Sequence, residues 1–563
     1  MLTNAPVVRC AGARALFLLS AGLTVAILLW TSYLSPVGLT RIFFFLFANE
    51  DRGAAVLALL ILIVAALLPA RSAVRGVFQW AGARPLVVAG VSLVGLCVGA
   101  IVVYHNHPLS MDEYSAYFQS RVFAAGHLAG QFPPAQMDWL IPKGFQNYFL
   151  SVSHSSGRVA SVYWPSHALI LAPFTLLGIP WACNPVLSAL TLLLIHRLAL
   201  EIFEDTEAAG FALLMTAASP VFFGMGISYY SMPAHLLANC AYALLLMRPT
   251  PLKAAAAGMV GAVALTLHNP VPHFLFAVPW FVWVATRNGG ARLLASLCAG
   301  YLPLCALLGI GWVELTDHLR AAGAAPTPGL QAANRFGAML AVFESPDPTV
   351  LLARAIGVAK VWVWAVPGLL ILACYGAVRE RRNSICLLLS ASALLTLVGY
   401  CFFPADQGHG WGYRYFHSAW MALPLLATAA LFRLPRAAKD AHVQSAFEDG
   451  ETRGFIASCV VLTLVLGTGF RAWQIEGFIA RDIAQVPHYR GGESRVVILD
   501  TRFSFYGVDL VQNDPFLRGG EIRMVSHGKA ADEQMMAEQY PQFRRVFADR
   551  YGAVWSAAPR PAR

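Results

Sequence analysis

The chain has 563 residues, of which 58% are hydrophobic and only 12% charged, with a mean hydropathy of +0.59. A soluble chain carries about a quarter charged residues, so this composition excludes a water-soluble particle of this size, and with it fibrous, disordered and nucleic-acid-binding classes. The net charge of +10 fits a polytopic membrane protein whose basic residues lie in cytoplasm-facing loops.

Apolar runs near 13–34, 53–70, 84–104, 183–201, 207–227, 230–247, 252–268, 271–286, 291–313, 358–378, 385–403, 414–432 and 454–470 predict about thirteen spans by the hydropathy rule. The first run is too long for a signal peptide and lacks a small-residue cleavage site, so it reads as a retained span. With the N-terminus inside, the inner loops hold Arg71, Arg75 and Arg84, then Arg197, then Arg248 and Lys253, then Arg287 and Arg292. Further along they hold Arg379, Arg381 and Arg382, and finally Arg433, Arg436, Lys439 and Arg453. The outer segments are then 35–52, 105–165, 314–357, 404–413 and everything from Arg471 onward. The apolar stretch 164–178 carries Pro165 and Pro173 and is short, which suits a re-entrant or interfacial segment. Ten cysteines without a CxxC pair read as small apolar residues rather than as a disulfide or zinc framework. The tail 471–563 is polar, with strand-like runs at 495–499 and 521–525 and a helical pattern over 530–540, an extramembrane α/β appendage.

Chemistry concentrates in the loop 105–165. Directly after the third span comes His107-Pro108-Leu109-Ser110-Met111-Asp112-Glu113-Tyr114. Two adjacent carboxylates at the exit of a span offer a general base, each raising the pKa of the other; they equally suit a helix N-terminus, where they would cap and complement the macrodipole. Most histidines fall on the predicted outer side. His105 and His107 are spaced to share a metal, but interfacial histidines bonded to backbone or lipid phosphate are the commoner case, and no metal or other cofactor is assigned. His268-Asn269-Pro270 reads as a Pro-bearing turn.

The acidic pair is followed by Tyr163-Trp164-Pro165-Ser166-His167-Ala168-Leu169-Ile170-Leu171-Ala172-Pro173-Phe174, by a run closing on Leu198-Ala199-Leu200-Glu201-Ile202-Phe203, and by His409-Gly410-Trp411-Gly412-Tyr413-Arg414-Tyr415-Phe416. In order and membrane side these segments resemble the GT-C membrane glycosyltransferases, nearest the bacterial protein O-mannosyltransferase and aminoarabinose-transferase-like branches; the tail segments Asn513-Asp514-Pro515 and 540–544 are similar to their small outer domain. Two spans precede the acidic pair that relatives place after the first, and Ser166-His167 stands where they carry a glycine. The short loop 228–235 lacks the acidic residue many of them have there.

The resemblance implies a GT-C-like α-helical membrane fold of about thirteen helices. It divides into an extra N-terminal hairpin (1–83), a catalytic membrane domain (84–470) with outer loops 105–165 and 314–357, and an α/β tail (471–563). It implies transfer of a sugar from a polyprenyl-phosphate donor to a hydroxyl of an envelope glycan, lipid or protein, in the bacterial inner membrane, with the N-terminus cytoplasmic and the tail periplasmic. Asp112 is then the base and Glu113 orients a substrate. Arg414 receives the lipid phosphate, its guanidinium fork matching phosphate oxygens, with Lys143, Arg158 and His409 as further candidates. Trp164, Trp411 and Tyr413 are candidates for stacking on sugar, although such residues also form interfacial belts. A lipid-linked glycan ligase or polymerase and a polytopic transporter or flippase are the alternatives.

Overall fold

The computed structural model describes residues 11–34, 41–68, 76–320, 344–435, 446–489, 494–503 and 505–557. Arg71, Arg75, Arg436 and Lys439, assigned above to inner loops, and most of the loop 314–357 lie outside the described residues.

The molecule is a helical membrane bundle with a small sheet unit at its C-terminal end. Among the described residues six helices are long and apolar enough to cross a bilayer: Gly12–Leu34, Pro85–Val102, Pro180–Phe203, Gly290–Arg320, Ser384–Phe402 and Gly450–Ile483. The pair Thr206–Ala217 and Pro220–Gly226, bent by 61°, is a broken span or a re-entrant loop and brings the count to seven when taken as one span. Other expected spans are shorter apolar helices, such as Met232–Met247, Pro251–Leu265 and Val271–Ala285, so the expected count of thirteen full-length crossings is not what length and composition give. Proline is one reason: Pro220 and Pro251 open their helices, and Pro279 sits inside Val271–Ala285. The expected span 358–378 is also interrupted, with Pro348–Val363 and Leu369–Arg379 separated by a turn at Pro367-Gly368, where Gly368 takes φ 92°.

Lipid offers little hydrophobic drive between helices, so close backbone approach takes over. A methyl group on Gly258 would collide with the Leu297 carbonyl and one on Gly300 with the Ala255 carbonyl, which seats Pro251–Leu265 directly on Gly290–Leu304.

The sequence reading ends the membrane part at 470 because Arg471 begins a charged stretch. The helix instead continues to Ile483, and Arg471 turns inward. Its Nη2 lies 2.8 Å from Asp51 Oδ1, while Lys360 Nζ lies 2.5 Å from Asp51 Oδ2. The indole of Trp364 donates to Asp51 at 2.6 Å, and the Arg471 guanidinium stacks 3.8 Å from that ring. Asp51, Lys360 and Arg471 side chains are 1%, 1% and 2% exposed, so two charges assigned to outer segments, Asp51 and Arg471, join Lys360 of the expected span 358–378 in one buried cluster. It fastens the helix Asp51–Leu67 to Pro348–Val363 and Thr468–Ile483.

The loop after the helix Pro85–Val102 folds on the helix Met111–Ala124 and a three-stranded antiparallel sheet, β1 (Gly130–Gln131), β2 (Leu150–Val152) and β3 (Arg158–Ser161), in the order β1-β3-β2. The next apolar segment is an 11-residue helix, Ser166–Leu176, roughly 16 Å long and so too short to cross a bilayer. The C-terminal unit is a four-stranded sheet of β4 (Arg495–Leu499), β5 (Glu521–Val525), β6 (Phe543–Asp549) and β7 (Gly552–Ala557), ordered β5-β4-β7-β6, with β4 and β5 parallel and the helix Lys529–Gln539 alongside. Tyr114, Phe118 and Val122 of the loop helix share one core with Val496, Ile498 and Met524 of this sheet. Each such buried side chain contributes about 1.5–3 kcal/mol, so loop and sheet dock as one layer over the bundle.

Candidate active site

The helix Met111–Ala124 starts at Ser110, which is extended, so that the first turn aims its backbone N–H groups back toward the bundle. Glu113 folds over that turn and its Oε2 accepts from the N–H groups of Leu109 (3.1 Å) and Ser110 (3.3 Å), the acidic half of a capping box. Its Oε1 accepts from the Tyr104 hydroxyl and the Tyr229 N–H, both at 2.9 Å. The side chain is fully buried, and burial outweighs these four donors, pushing the carboxyl up to about 7. Glu113 thus ties three chain segments together and presents no oxygen to solvent.

Asp112, about 100° further round the helix, faces the other way. It remains 23% exposed. Oδ1 accepts from the Tyr163 hydroxyl, and Oδ2 lies 2.8 Å from Arg414 Nη2. Burial pushes its pKa up, but Arg414, His268 and Tyr163 together outweigh burial, and the carboxyl is held below the usual range. The expected mutual pKa elevation of the pair does not occur: the carboxylates point apart and respond to different partners, one up and one down.

Arg414 opens a single helical turn, Arg414–His417, after a loop braced by Gln407. Gln407 Oε1 accepts from the Arg414 N–H at 2.8 Å, its Nε2 donates to the Gly412 carbonyl at 3.0 Å, and its own carbonyl accepts from Arg414 Nη2. A methyl group on Gly410 would stand 2.5 Å from Arg414 Cγ, so only glycine lets the side chain fold back along the loop. The guanidinium lies 4.4 Å over the Tyr230 ring, and Nε has no partner among the described residues. Tyr230 in turn bonds Ser110 Oγ at 2.9 Å and His409 Nδ1 at 3.0 Å. His268 packs its ring 4.0 Å from Tyr163, and burial drops its pKa to about 4, so it is neutral.

The structure therefore brings together Asp112 and Arg414, residues 302 positions apart in sequence, with His409 one layer behind. It does not bring Lys143 or Arg158 to them. Lys143 is exposed and paired with Asp138 at 3.3 Å, and Arg158 is exposed at the start of β3, the end of that strand away from Tyr163. Trp411 and Tyr413 are 2% and 3% exposed, because Trp411 packs on Trp364 and Gly224, and Tyr413 on Gly357, leaving neither ring a face for a sugar. Trp164 is half-buried against Gly309. Among the described residues no three His, Cys, Asp or Glu side chains are grouped to hold a metal ion. His105 instead lies 3.4 Å from Glu476.

Tyr163, which opens the 163–174 segment but is given no catalytic role from sequence, and Tyr230, Gln407 and His268 complete the constellation. Adjacent tyrosines in 228–231 and the glycine-rich run 408–412 were the available signals for Tyr230 and Gln407; Tyr163 and His268 lay in segments already noted, the 163–174 run and the 268–270 turn, without a local signal of their role.

No family model and no curated protein sequence matches the chain. Solved structures do, among them two of ArnT from Cupriavidus metallidurans, one bound to undecaprenyl phosphate and one in the apo state. Each aligns over 84% of this chain and 99% of that one, with TM-score 0.53 and 14% sequence identity. The chain has the GT-C-like membrane fold that these structures share.

Proposed function

We propose that the protein is an integral membrane glycosyltransferase of the bacterial inner membrane. It moves a sugar from a polyprenyl-phosphate carrier to an acceptor hydroxyl of an envelope glycan, lipid or protein on the outer face. The observation that carries this reading is the Asp112–Arg414 pair at 2.8 Å, a reachable carboxylate beside a guanidinium in a fold shared with a structure bound to undecaprenyl phosphate.

The chemistry follows from the pair. The acceptor oxygen attacks the anomeric carbon, the bond from that carbon to the phosphate oxygen breaks, and both its electrons leave with the carrier phosphate. The acceptor proton passes to Asp112. The departing phosphate is a good leaving group and requires cationic stabilisation more than a proton, which Arg414 supplies through donors now given to Asp112. While Arg414 and Tyr163 hold its carboxylate, Asp112 is a weak base. A phosphate that draws Arg414 toward itself removes the cation holding the Asp112 pKa down, so carrier binding strengthens the base at the moment it is needed. Glu113, sealed by four donors, acts as a positioning residue that fixes the first turn of the Asp112 helix.

The test is a mass-resolved comparison of envelope glycans from cells with the protein, without it, and with Asp112→Asn. Loss of one sugar in both deficient strains supports the reading, with a fall of about 10²–10⁴ in transfer for the variant, the range a general base contributes. Normal glycans in the Asp112→Asn strain sink the base assignment. Normal glycans in cells without the protein sink the transferase.

A further inference from the structure

A cavity of about 590 Å³ opens where the connection between the first two apolar helices meets the end of the helix Thr468–Ile483 and the C-terminal unit. Phe45, from the short helix Ile42–Phe45, closes one side with its ring 5.3 Å from that of Phe505. Its back wall is Tyr506 and Phe478, which hold the His409 ring at 5.2 and 5.8 Å. The cavity is therefore separated from the Asp112–Arg414 site by successive rings: Tyr506 and Phe478, then His409, then Tyr230.

Its charges are unusual. Asp482 lines it, is 4% exposed, and has an Oδ2 with no hydrogen-bond partner among the described residues; its Oδ1 meets only Gln485 Nε2, at 3.4 Å. A buried carboxylate oxygen left without a donor is costly, so a ligand donor is the expected complement. Arg481, the neighbouring residue, lines the same cavity and has no ion-pair partner among the described residues. Arg502 also lines it, already held by Asp500 at 2.5 Å, with donors left over from its five. The lining thus offers one carboxylate and one unpaired guanidinium beside aromatic rings, at the level where an apolar bundle ends and headgroups begin. A ligand complementary to that set carries an anion and a cation on one short headgroup, with an apolar chain.

We propose that this cavity binds an aminophospholipid headgroup, with the phosphodiester on Arg481 and Arg502 and the primary ammonium on Asp482. The aromatic wall contributes cation–π attraction to the ammonium, and the acyl chains leave along the apolar helices. The site is independent of the transfer reaction, although its occupant buttresses the rings behind His409.

The test uses the full chain in detergent, with binding of phosphatidylethanolamine, phosphatidylcholine and phosphatidylglycerol of identical chains followed by native mass spectrometry. Phosphatidylethanolamine is expected to bind tightest, since the choline nitrogen has no hydrogen to give Asp482 and the glycerol headgroup has no cation. Asp482→Asn lowers its affinity about tenfold and abolishes its preference over phosphatidylglycerol, the scale of losing one charge-assisted bond. Arg481→Gln, at an exposed position that leaves folding intact, weakens all phospholipids several-fold. Asp112→Asn leaves lipid selectivity unchanged, which separates this site from the transferase reading. Equal binding of the three lipids by the unmodified protein, an unchanged preference in Asp482→Asn, or full displacement by inorganic phosphate alone overturns the proposal.

Discussion

Two clusters in this bundle pair an aspartate with arginine beside an aromatic ring, and they differ in one respect. Asp51, with Lys360, Arg471 and the Trp364 indole around it, is 1% exposed; Asp112, with Arg414 and Tyr163, is 23% exposed. Around Asp51 the partners come from two other helices, Pro348–Val363 with its C-cap Trp364 and Thr468–Ile483, and close over the carboxylate. Around Asp112 they come from a helix first turn, a loop and a strand end, and they leave an approach open. The comparison teaches that a buried charge cluster in a membrane domain is not by itself a functional site. Access decides, together with whether an incoming ligand can replace one of the partners.

That difference can be broken by mutation. The largest effect is expected for Arg414→Ala, a loss of about 10²–10³ in sugar transfer, comparable with removing one donor from a preorganised anion site. Arg414→Lys recovers little because a point charge does not serve Asp112 and a phosphate together. Full activity in Arg414→Ala would show that the open cluster is as structural as the closed one. Asp51→Asn is expected next, as a stability defect of about 3–5 kcal/mol, because it leaves two buried cations facing a neutral group. It lowers the unfolding temperature and the yield while transfer per folded molecule stays near normal. A selective fall in turnover with unchanged stability would move the Asp51 cluster into the catalytic category.

Glu113 sharpens the comparison within a single turn. Its carboxyl, near 4.5 in the unfolded chain, is raised to about 7 in the fold, so the folded state holds a proton that the unfolded state has lost between those values. Stability from this group is therefore greatest below about pH 4.5, falls as pH rises to about 7, and is flat above it. Glu113→Gln removes that slope, measured by chemical unfolding at several pH values. Asp112 has the opposite sign: its lowered pKa adds stability above about pH 4 that is lost as pH falls through the folded value. The smallest effect is expected for Tyr163→Phe. It removes one hydrogen bond worth about 1 kcal/mol, raises the Asp112 pKa modestly, and changes transfer by about fivefold. An effect as large as that of Asp112→Asn would make Tyr163 a participant in proton transfer rather than a support.

Part of this was legible without coordinates. Hydropathy located the apolar segments, because each needs only its own composition to be recognised, and the strands at 495–499 and 521–525 announced themselves by β-branched residues. β6 and β7 were not announced, since β6 is an edge strand with nearly every residue exposed and so carries no burial signal. The break at Pro367-Gly368 was hidden by apolar residues on both sides, which hydropathy cannot separate into two helices. Arg471 misled because charge was read as solvation, whereas its partner Asp51 lies 420 positions earlier in the chain.

The candidate site divides the same way. The sequence alone determined that an acidic pair, suited to a base or to a helix N-terminus, follows a span and that an arginine follows a glycine-rich loop, because these are local statements about neighbours. Only the tertiary structure decided that Glu113 is sealed and Asp112 open, that Asp112 meets Arg414 while Lys143 and Arg158 stay away, and that Trp411 and Tyr413 belong to the core. Burial and ion pairing depend on the sum of surfaces brought in from distant segments, and a single turn of helix is enough to send adjacent carboxylates into opposite environments.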